Sequence, residues 1–250
     1  MDVTHAVLIG LAALSAGAVN AIAGGGSLIT FPVLLASGLP AVTASMTNTV
    51  AMCPGYFGAT IAQRRDLDGQ SGRALRLVPL SLVGSLAGAW ILLHTTEKSF
   101  QTIVPFLLLF AAGLLMLQGK LRSYLAQHTR GGHSMAFAVV PVAAAAVYGA
   151  YFGAGMGVII LAIIAVVVDD TLLRANALKQ LLSLIINTCA AIVFLFAGNI
   201  DWPVALIIAV ASLAGGLLGG KLARYIPEVL LRWLAISVAL VVAGVYFARL

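Results

Sequence analysis

Two glycine-rich breaks in apolar sequence are the first places where this chain could bind a ligand. One is Gly24-Gly25-Gly26 followed by Ser27, and the other runs from Gly153 through Gly155 to Gly157. A helix that begins inside apolar surroundings points free N–H groups, and the positive end of its dipole, at whatever lies beside it. Glycine lets an anion approach those groups closely. The breaks therefore predict a site for a small anion, although the same glycines could instead serve only close helix packing.

Polar side chains in the neighbouring apolar segments are the second set of candidate ligands. They are Asn20 before the first break, Thr47, Asn48 and Thr49 after it, and Asn176, Lys179 and Gln180 after the second break. The last three share one face at helical spacing. A lysine at the centre of a membrane helix costs roughly 2.5–3.5 kcal/mol unless it is compensated, which an anionic substrate would do. The alternative for Lys179 is that it extends towards the membrane surface beside Arg174.

The placement of the other reactive residues argues against an enzyme. All eight acids and all four histidines fall in loops or at the ends of apolar segments, without metal-ligand spacing. Gly26-Ser27 lacks the Gly-x-Ser-x-Gly context of a serine hydrolase. We therefore expect no catalytic residues, no metal and no cofactor. Cys53 and Cys189 lie inside apolar segments and are interpreted as spectator thiols, with an intramembrane thiol-dependent enzyme as the alternative.

The composition indicates which elements must position these residues. The chain is 62% hydrophobic and 9% charged, which excludes a soluble domain and predicts an all-α protein of the lipid bilayer. Apolar segments run at about 5–23, 27–37, 41–63, 74–94, 100–118, 136–152, 158–168, 171–197, 203–222 and 228–248. The pieces at about 27–37 and 158–168 are short of the roughly twenty residues that span a bilayer, so we interpret them as half-helices. Whether they cross it fully is left open.

The second half of the chain repeats the first. A gap-free shift that places Gly24 on Gly155 also places Gly84 on Gly215, Glu97 on Glu228 and Asn48 on Lys179. The sequence thus divides into repeat one at 1–118, a linker at 119–135 and repeat two at 136–250. Five segments per repeat is an odd number, so the second repeat is predicted to be inverted. Such repeats are typical of transporters with a site near the middle of the bilayer.

The basic residues predict the orientation. If both termini lie outside the cytoplasm, only Lys98 and Arg249 of the fourteen Lys and Arg residues fall outside, and the linker lies inside. Cytoplasmic loops carry the excess of positive charge, so this orientation is favoured. The high isoelectric point therefore reflects topology, and no nucleic-acid partner is expected.

At its polar and glycine-rich motifs the chain resembles the TauE/SafE sulfite exporters. The resemblance rests on Gly17-Ala-Val-Asn-Ala-Ile-Ala-Gly-Gly-Gly-Ser-Leu-Ile-Thr-Phe-Pro32, on Ala44-Ser-Met-Thr-Asn-Thr49, on Gly149-Ala-Tyr-Phe-Gly-Ala-Gly-Met-Gly157 and on Arg174-Ala-Asn-Ala-Leu-Lys179. It spans essentially the whole chain. One departure is that the second half has no counterpart of Ser27 or Pro32, so the two half-sites cannot be identical.

The resemblance implies a multi-pass transporter of the bacterial inner membrane. Its substrate would be a small sulfur-containing anion, such as sulfite, thiosulfate or an organosulfonate, exported by alternating access. A passive anion channel is the alternative within transport. The residues do not determine the sulfur anion, the coupling ion or the oligomeric state.

Overall fold

The part of the chain that the structure describes contains ten α-helices. The computed structural model describes residues 3–128, 136–168, 170–222 and 228–247. The helices are α1 (Val3–Ile22), α2 (Ser27–Ala36), α3 (Ala41–Ala62), α4 (Ser71–Leu93), α5 (Glu97–His128), α6 (Ala136–Tyr151), α7 (Met156–Val167), α8 (Leu172–Ala197), α9 (Trp202–Leu222) and α10 (Glu228–Phe247). A single turn of 3-10 helix, Arg64–Leu67, follows α3. No strand occurs in these ranges, so the prediction of an all-α fold is confirmed.

Five helices of the described ranges are long and apolar enough to cross a membrane: α1, α4, α5, α8 and α9. The expected half-helices are present, since α2 has 10 residues and α7 has 12. Helix α3 has 22 residues but carries the polar run from Ser45 to Thr49. Helix α5 continues to His128, so the start of the stretch predicted as a linker is helical. The rest of that linker, 129–135, lies outside the described residues.

The two five-helix halves interlock. Helix α9 of the second half packs on α1 and α3 of the first, and α4 of the first half packs on α6 and α8 of the second. If each helix is replaced by its counterpart five helices along, the α1–α9 pairing becomes the α6–α4 pairing, and the α3–α9 pairing becomes the α8–α4 pairing. Helix α5 packs on α10, and α3 packs on α8, which are pairings between equivalent helices. This exchange symmetry supports the predicted repeat; its inversion in the membrane stays a prediction.

Small residues allow these helices to approach closely. A Cβ atom added to Gly84 would lie 2.9 Å from the Cβ of Ala146, and one added to Gly88 would lie 3.0 Å from the Cβ of Ala150. Both contacts join α4 to α6. Small side chains at a spacing of four residues are the usual interface between membrane helices. These glycines therefore serve packing.

An ion-pair cluster joins two helices at one end of the molecule. Asp170 accepts from Arg73 Nη1 at 2.6 Å and from Arg174 Nε at 2.9 Å, which joins α4 to α8. Partial burial acts to raise the pKa of Asp170, but the hydrogen bonds from Arg73 and Arg174 outweigh it and lower this pKa to about 2. Gln70 adds a hydrogen bond from its side chain to the carbonyl of Arg174 at 2.9 Å.

A different set of contacts joins the loops at the opposite end. The carboxylate of Glu97 accepts from the backbone N–H groups of Ala41 and Val42, in the first turn of α3. The Thr47 hydroxyl accepts from the N–H of Asp201, which precedes α9. Among the described residues, the loops after α3 and before α8, predicted to be cytoplasmic, thus meet at one end, and the loops before α3, α5 and α9, predicted to be outside, meet at the other. This grouping is what an inverted repeat requires.

Candidate functional site

Positive backbone angles break the chain between α1 and α2 and between α6 and α7. Gly24 has φ +89°, and Gly153 and Gly155 have φ +82° and +80°. This left-handed region is costly for residues with a Cβ atom, so glycine is needed at these turns. Each break reverses the chain and starts a new helix, α2 at Ser27 and α7 at Met156.

The two breaks contact each other through bare backbone. A Cβ atom on Gly24 would lie 3.0 Å from the Cα of Gly157, and one on Gly157 would lie 2.9 Å from the Cα of Gly24. Gly153 lies close to Ser27, whose Oγ would be 3.9 Å from a Cβ atom on Gly153. The start of α7 therefore touches the break before α2, which brings the positive ends of both helix dipoles into one region.

The carboxyl end of α1 stops inside the protein, where side chains of other helices satisfy its last carbonyl groups. The Asn20 carbonyl accepts from Lys179 Nζ and from Gln180 Nε2, both at 3.1 Å. The Ala21 carbonyl accepts from Gln63 Nε2 at 3.1 Å and from Asn176 Nδ2 at 3.0 Å. The final carbonyls of any helix have no partner within it, and they carry the negative end of the dipole. A lysine is therefore well placed at this end.

Lys179 and Gln180 are completely buried, each with 0% of its surface exposed. The Lys179 side chain thus turns into the protein towards α1 and does not extend to the membrane surface. Its ammonium lies at the carboxyl end of α1, where the helix dipole is negative. The arrangement gives Lys179 a structural role in this conformation, as a cap of α1.

A small cluster of polar groups lies beside the glycine contact. Asn20 Oδ1 accepts from the N–H of Gly26 at 2.6 Å. Asn20 Nδ2 is a buried donor with no partner, although Asn20 is only 2% exposed. The Tyr56 side chain of α3 faces Asn20, Ser27 and Asn187. Gln180 Oε1, in the same cluster, is a buried acceptor with no partner. A buried polar atom without a partner costs about 1–3 kcal/mol, so this cluster favours a ligand that supplies an acceptor to Asn20 and a donor to Gln180.

Three predicted residues on α3 have other partners. Thr47, near the amino end of α3, accepts from the N–H of Asp201. The Thr49 hydroxyl donates to the Ser45 carbonyl of its own helix at 3.0 Å. Asn48 accepts from the Thr30 hydroxyl of α2 at 2.5 Å and so reaches the second turn of that half-helix. In contrast, the predicted residues Asn20, Ser27, Lys179 and Gln180 and the Gly24–Gly157 contact lie together. Asn176 bonds to the next carbonyl group of α1, that of Ala21.

Sequence reasoning missed Gln63, Tyr56 and Gln118. Gln63 and Gln118 cap the end of α1, the latter through a bond from Nε2 to the Ala23 carbonyl at 3.1 Å. Gln118 could have been noticed as the polar residue that ends a long apolar run. Gln63 precedes two arginines and resembles a loop residue, and Tyr56 resembles an ordinary aromatic of a membrane helix. Neither had a signal that separates it from such residues.

The cysteines do not join this cluster through any described bond. Cys53 Sγ donates to the Thr49 carbonyl at 3.3 Å, and Cys189 Sγ lies 3.9 Å from the Leu82 carbonyl. Both are free thiols on different helices. Across the residues that the structure describes, no group of three or more His, Cys, Asp or Glu side chains could hold a metal ion.

Comparison with known proteins places the chain among membrane transporters. The family model of the sulfite exporter TauE/SafE matches residues 9–246. The chain is 27% identical over 233 residues to the probable membrane transporter protein YfcA of Escherichia coli strain K12, which covers 93% of this chain and 86% of that protein. It is also 27% identical to the probable membrane transporter protein ORF9 of a Sinorhizobium species, over 93% of this chain and 88% of that protein. A probable membrane transporter protein of Haemophilus influenzae is 27% identical over 220 residues, 86% of this chain and 83% of that protein. No solved structure matches the chain.

Proposed function

Since the chain belongs to the sulfite exporter TauE/SafE family, we propose that it exports small sulfur-containing anions by alternating access. The candidate substrates are sulfite, thiosulfate and organosulfonates. Its class as a multi-pass membrane transporter follows from the family and from the apolar helices. The sulfur anion, the bacterial inner membrane as the location, and the mechanism are the parts that we propose.

The observation that carries the proposal is the closed polar cluster at the glycine contact. Asn20, Ser27, Lys179 and Gln180 are all at most 4% exposed, in a region otherwise formed by apolar helices. The breaks before two helices, one ammonium group and the unpartnered amide donor Asn20 Nδ2 lie there, together with one unpartnered acceptor, Gln180 Oε1. The helix starts, the ammonium and the amide donor favour negative charge. A sulfur oxyanion has several acceptor oxygens and the charge that this set of donors suits.

In the proposed complex, the anion binds beside Gly24 and Gly157. It accepts hydrogen bonds from Asn20 Nδ2, from the Ser27 hydroxyl and from Lys179, whose ammonium has three donor hydrogens. The Tyr56 hydroxyl, which faces Asn20, adds a fourth donor. Here fixed donors of the protein would replace the water molecules that hydrate the oxyanion in solution. Only an anion small enough to approach the glycine backbone would bind well.

The cluster reaches neither membrane surface in this conformation. Substrate can enter only if contacts at one end open, such as the bonds of Gln63 and Asn176 to α1 or the Thr47–Asp201 bond at the other end. Interlocked halves that rock against each other would open one end at a time. A closed centre favours a carrier over a permanently open anion channel.

Export of an anion needs no coupling ion. With the cytoplasm negative, each elementary charge gains roughly 2.3 kcal/mol per 100 mV as it leaves. Every acid in the sequence lies in a loop or at a helix end, so no carboxylate relay through the membrane is part of the proposal. A uniporter would therefore be sufficient.

The test is flux in proteoliposomes. Purified protein is reconstituted and loaded in turn with sulfite, thiosulfate, methanesulfonate, sulfate or chloride. We expect saturable efflux of at least one of the first three, and acceleration by the same anion on the opposite side, because a carrier exchanges substrate. Flux equal to that of protein-free liposomes for all three sulfur anions would refute the proposed substrates. Saturable flux without counterflow would support a channel instead.

A further inference from the structure

A basic cleft lies at the end of the molecule that the charge distribution predicts to face the cytoplasm. Its volume is about 550 Å³, and it lies between the end of α3, the start of α8 and the end of α9. Arg64 and Arg65 line one side, and Lys221 lines the other. We call it the entry cleft.

The charge of the entry cleft is positive. Arg64, Arg65 and Lys221 are exposed to solvent, and Asp66 is the one acid among the described residues that line the cleft. Three cations that share a cleft with one carboxylate raise the local concentration of anions, and low-dielectric walls focus that field. The effect falls with ionic strength because solvent-exposed charges are screened.

The floor of the entry cleft leads to the polar cluster. Gln63 lines the cleft but is only 6% exposed. Its Oε1 accepts from Asn176 Nδ2 at 2.8 Å, and its Nε2 donates to the Ala21 carbonyl at 3.1 Å. The preceding carbonyl of α1, that of Asn20, is the one that Lys179 and Gln180 bind. One layer of amide hydrogen bonds thus separates the cleft from the proposed substrate site.

The sequence repeat does not reproduce these charges at the opposite end. The shift that places Gly24 on Gly155 places Arg64 and Arg65 on Leu195 and Phe196, and Trp90 on Lys221. Leu195, Phe196 and Trp90 are exposed apolar side chains. The helices repeat, but the basic lining is confined to one end. A device that collects anions at a single end fits a transporter that loads from that end.

We propose that the entry cleft is a loading site that binds an oxyanion group before it passes Gln63. This rests on the proposed function, since the loaded anion is the one to be exported. The same chemistry would suit the phosphate of a lipid headgroup, and basic loop residues also set topology. The experiment must separate these three roles.

The decisive variant neutralises the cleft. Arg64→Gln, Arg65→Gln and Lys221→Gln are combined, and Arg76→Gln serves as the matched control, because Arg76 is an exposed cation of the same end outside the cleft. Initial rates are measured with sulfite or thiosulfate supplied on the cleft side of oriented proteoliposomes. We expect the KM of the triple variant to rise about tenfold with kcat retained, and the difference to shrink in high salt.

Lipid composition separates the two sources of the oxyanion group. The same rates are measured in purely zwitterionic vesicles and in vesicles that contain an anionic lipid. A KM effect in both membranes supports the loading site. An effect seen only with anionic lipid would overturn it in favour of a headgroup site, and an equal effect of Arg76→Gln would reduce it to general surface charge.

Failure of this inference and failure of the proposed function give different results. If the unaltered protein moves no sulfur anion, the proposed function fails. If it does so and the triple variant has the same KM, the proposed function stands and the loading site is refuted. Reversed insertion of the triple variant, read from the side at which Asn199 is labelled, would assign the three cations to topology and also refute it.

Discussion

At the scale of single residues, Lys179 has one role that the structure shows and a second that is proposed. Its ammonium donates to the Asn20 carbonyl at the end of α1, and the Asn20 side chain bonds to Gly26 in the first glycine break. In the first role it stabilises a broken helix, and in the proposed second role it attracts substrate. The two roles differ in what they require, since a carbonyl needs only a donor whereas an anion gains from the charge.

Two substitutions of Lys179 separate these roles. Lys179→Gln keeps an amide donor for the Asn20 carbonyl and removes the charge, whereas Lys179→Met removes both. We expect sulfite or thiosulfate efflux to fall at least about tenfold in both variants, because a hydrogen bond to a charged group contributes roughly 1.5–3 kcal/mol. Insertion should be retained, since a charge that is costly in the membrane is gone. Efflux is measured in proteoliposomes that contain equal amounts of folded protein.

The exposed Lys98 at the opposite end provides the control. Lys98→Met should leave efflux unchanged. Normal efflux by Lys179→Gln, with loss of efflux only in Lys179→Met, would mean that Lys179 acts only as a cap of α1, and the anion role would be wrong.

At the scale of elements, the hairpin between α1 and α2 depends on backbone that only glycine adopts without strain. Gly24 has φ +89° and touches Gly157, while Gly38, at the end of α2, has φ +87° with nothing within 4 Å of an added Cβ atom. The two positions therefore share the same backbone strain and differ in the contact. They form a matched pair.

Replacing each of these glycines with alanine tests the glycine contact. Both variants should lose about 1–2 kcal/mol of stability from the left-handed conformation. Gly24→Ala should lose more and should slow anion flux by at least about tenfold, because its Cβ atom would separate the starts of α2 and α7. Thermal unfolding in detergent and flux in proteoliposomes are the measurements. Equal stability and flux in the two variants would show that the Gly24–Gly157 contact has no special role.

At the scale of the whole molecule, the most extensive helix packing is between the two halves and not within either half. Helices α4 and α9 each pack mainly on helices of the other half, so neither half is expected to form the polar cluster alone. Motion of one half against the other would change both ends at once. Such coupling is what alternating access needs.

The orientation of the chain in the membrane is the prediction at this scale. Fusion reporters at Ser71 and Thr129 should lie in the cytoplasm, and reporters at Thr96, Asn199 and both termini should lie outside; Thr129 and the termini are outside the described residues. The physical reason is the excess of Lys and Arg in the cytoplasmic loops. Reporter activity and thiol labelling from either side give the answer. Cytoplasmic labelling at Asn199 would contradict the inverted repeat, because that loop is the counterpart of the one near Asp68.

The sequence by itself determined the class of fold, the number of helices and the positions of both breaks. Hydropathy and glycine act locally, since an apolar run becomes a helix in lipid whatever its neighbours are, and a run of glycines interrupts it. The register between the halves also singled out Lys179 through its match with Asn48. These features depend on residues close together in the chain.

Only the tertiary structure decided what the polar side chains bind. Whether Lys179 would extend to the surface or turn inwards depended on α1, which lies far from it in sequence. The Asn20 carbonyl at the end of α1 accepts the hydrogen bond from Lys179. Thr47 looked equivalent to Asn48 but bonds to Asp201, and Gln63 looked like a loop residue but closes the floor of the entry cleft. A hydrogen bond needs two partners within about 3 Å, and the packing of helices from both halves sets which partners meet.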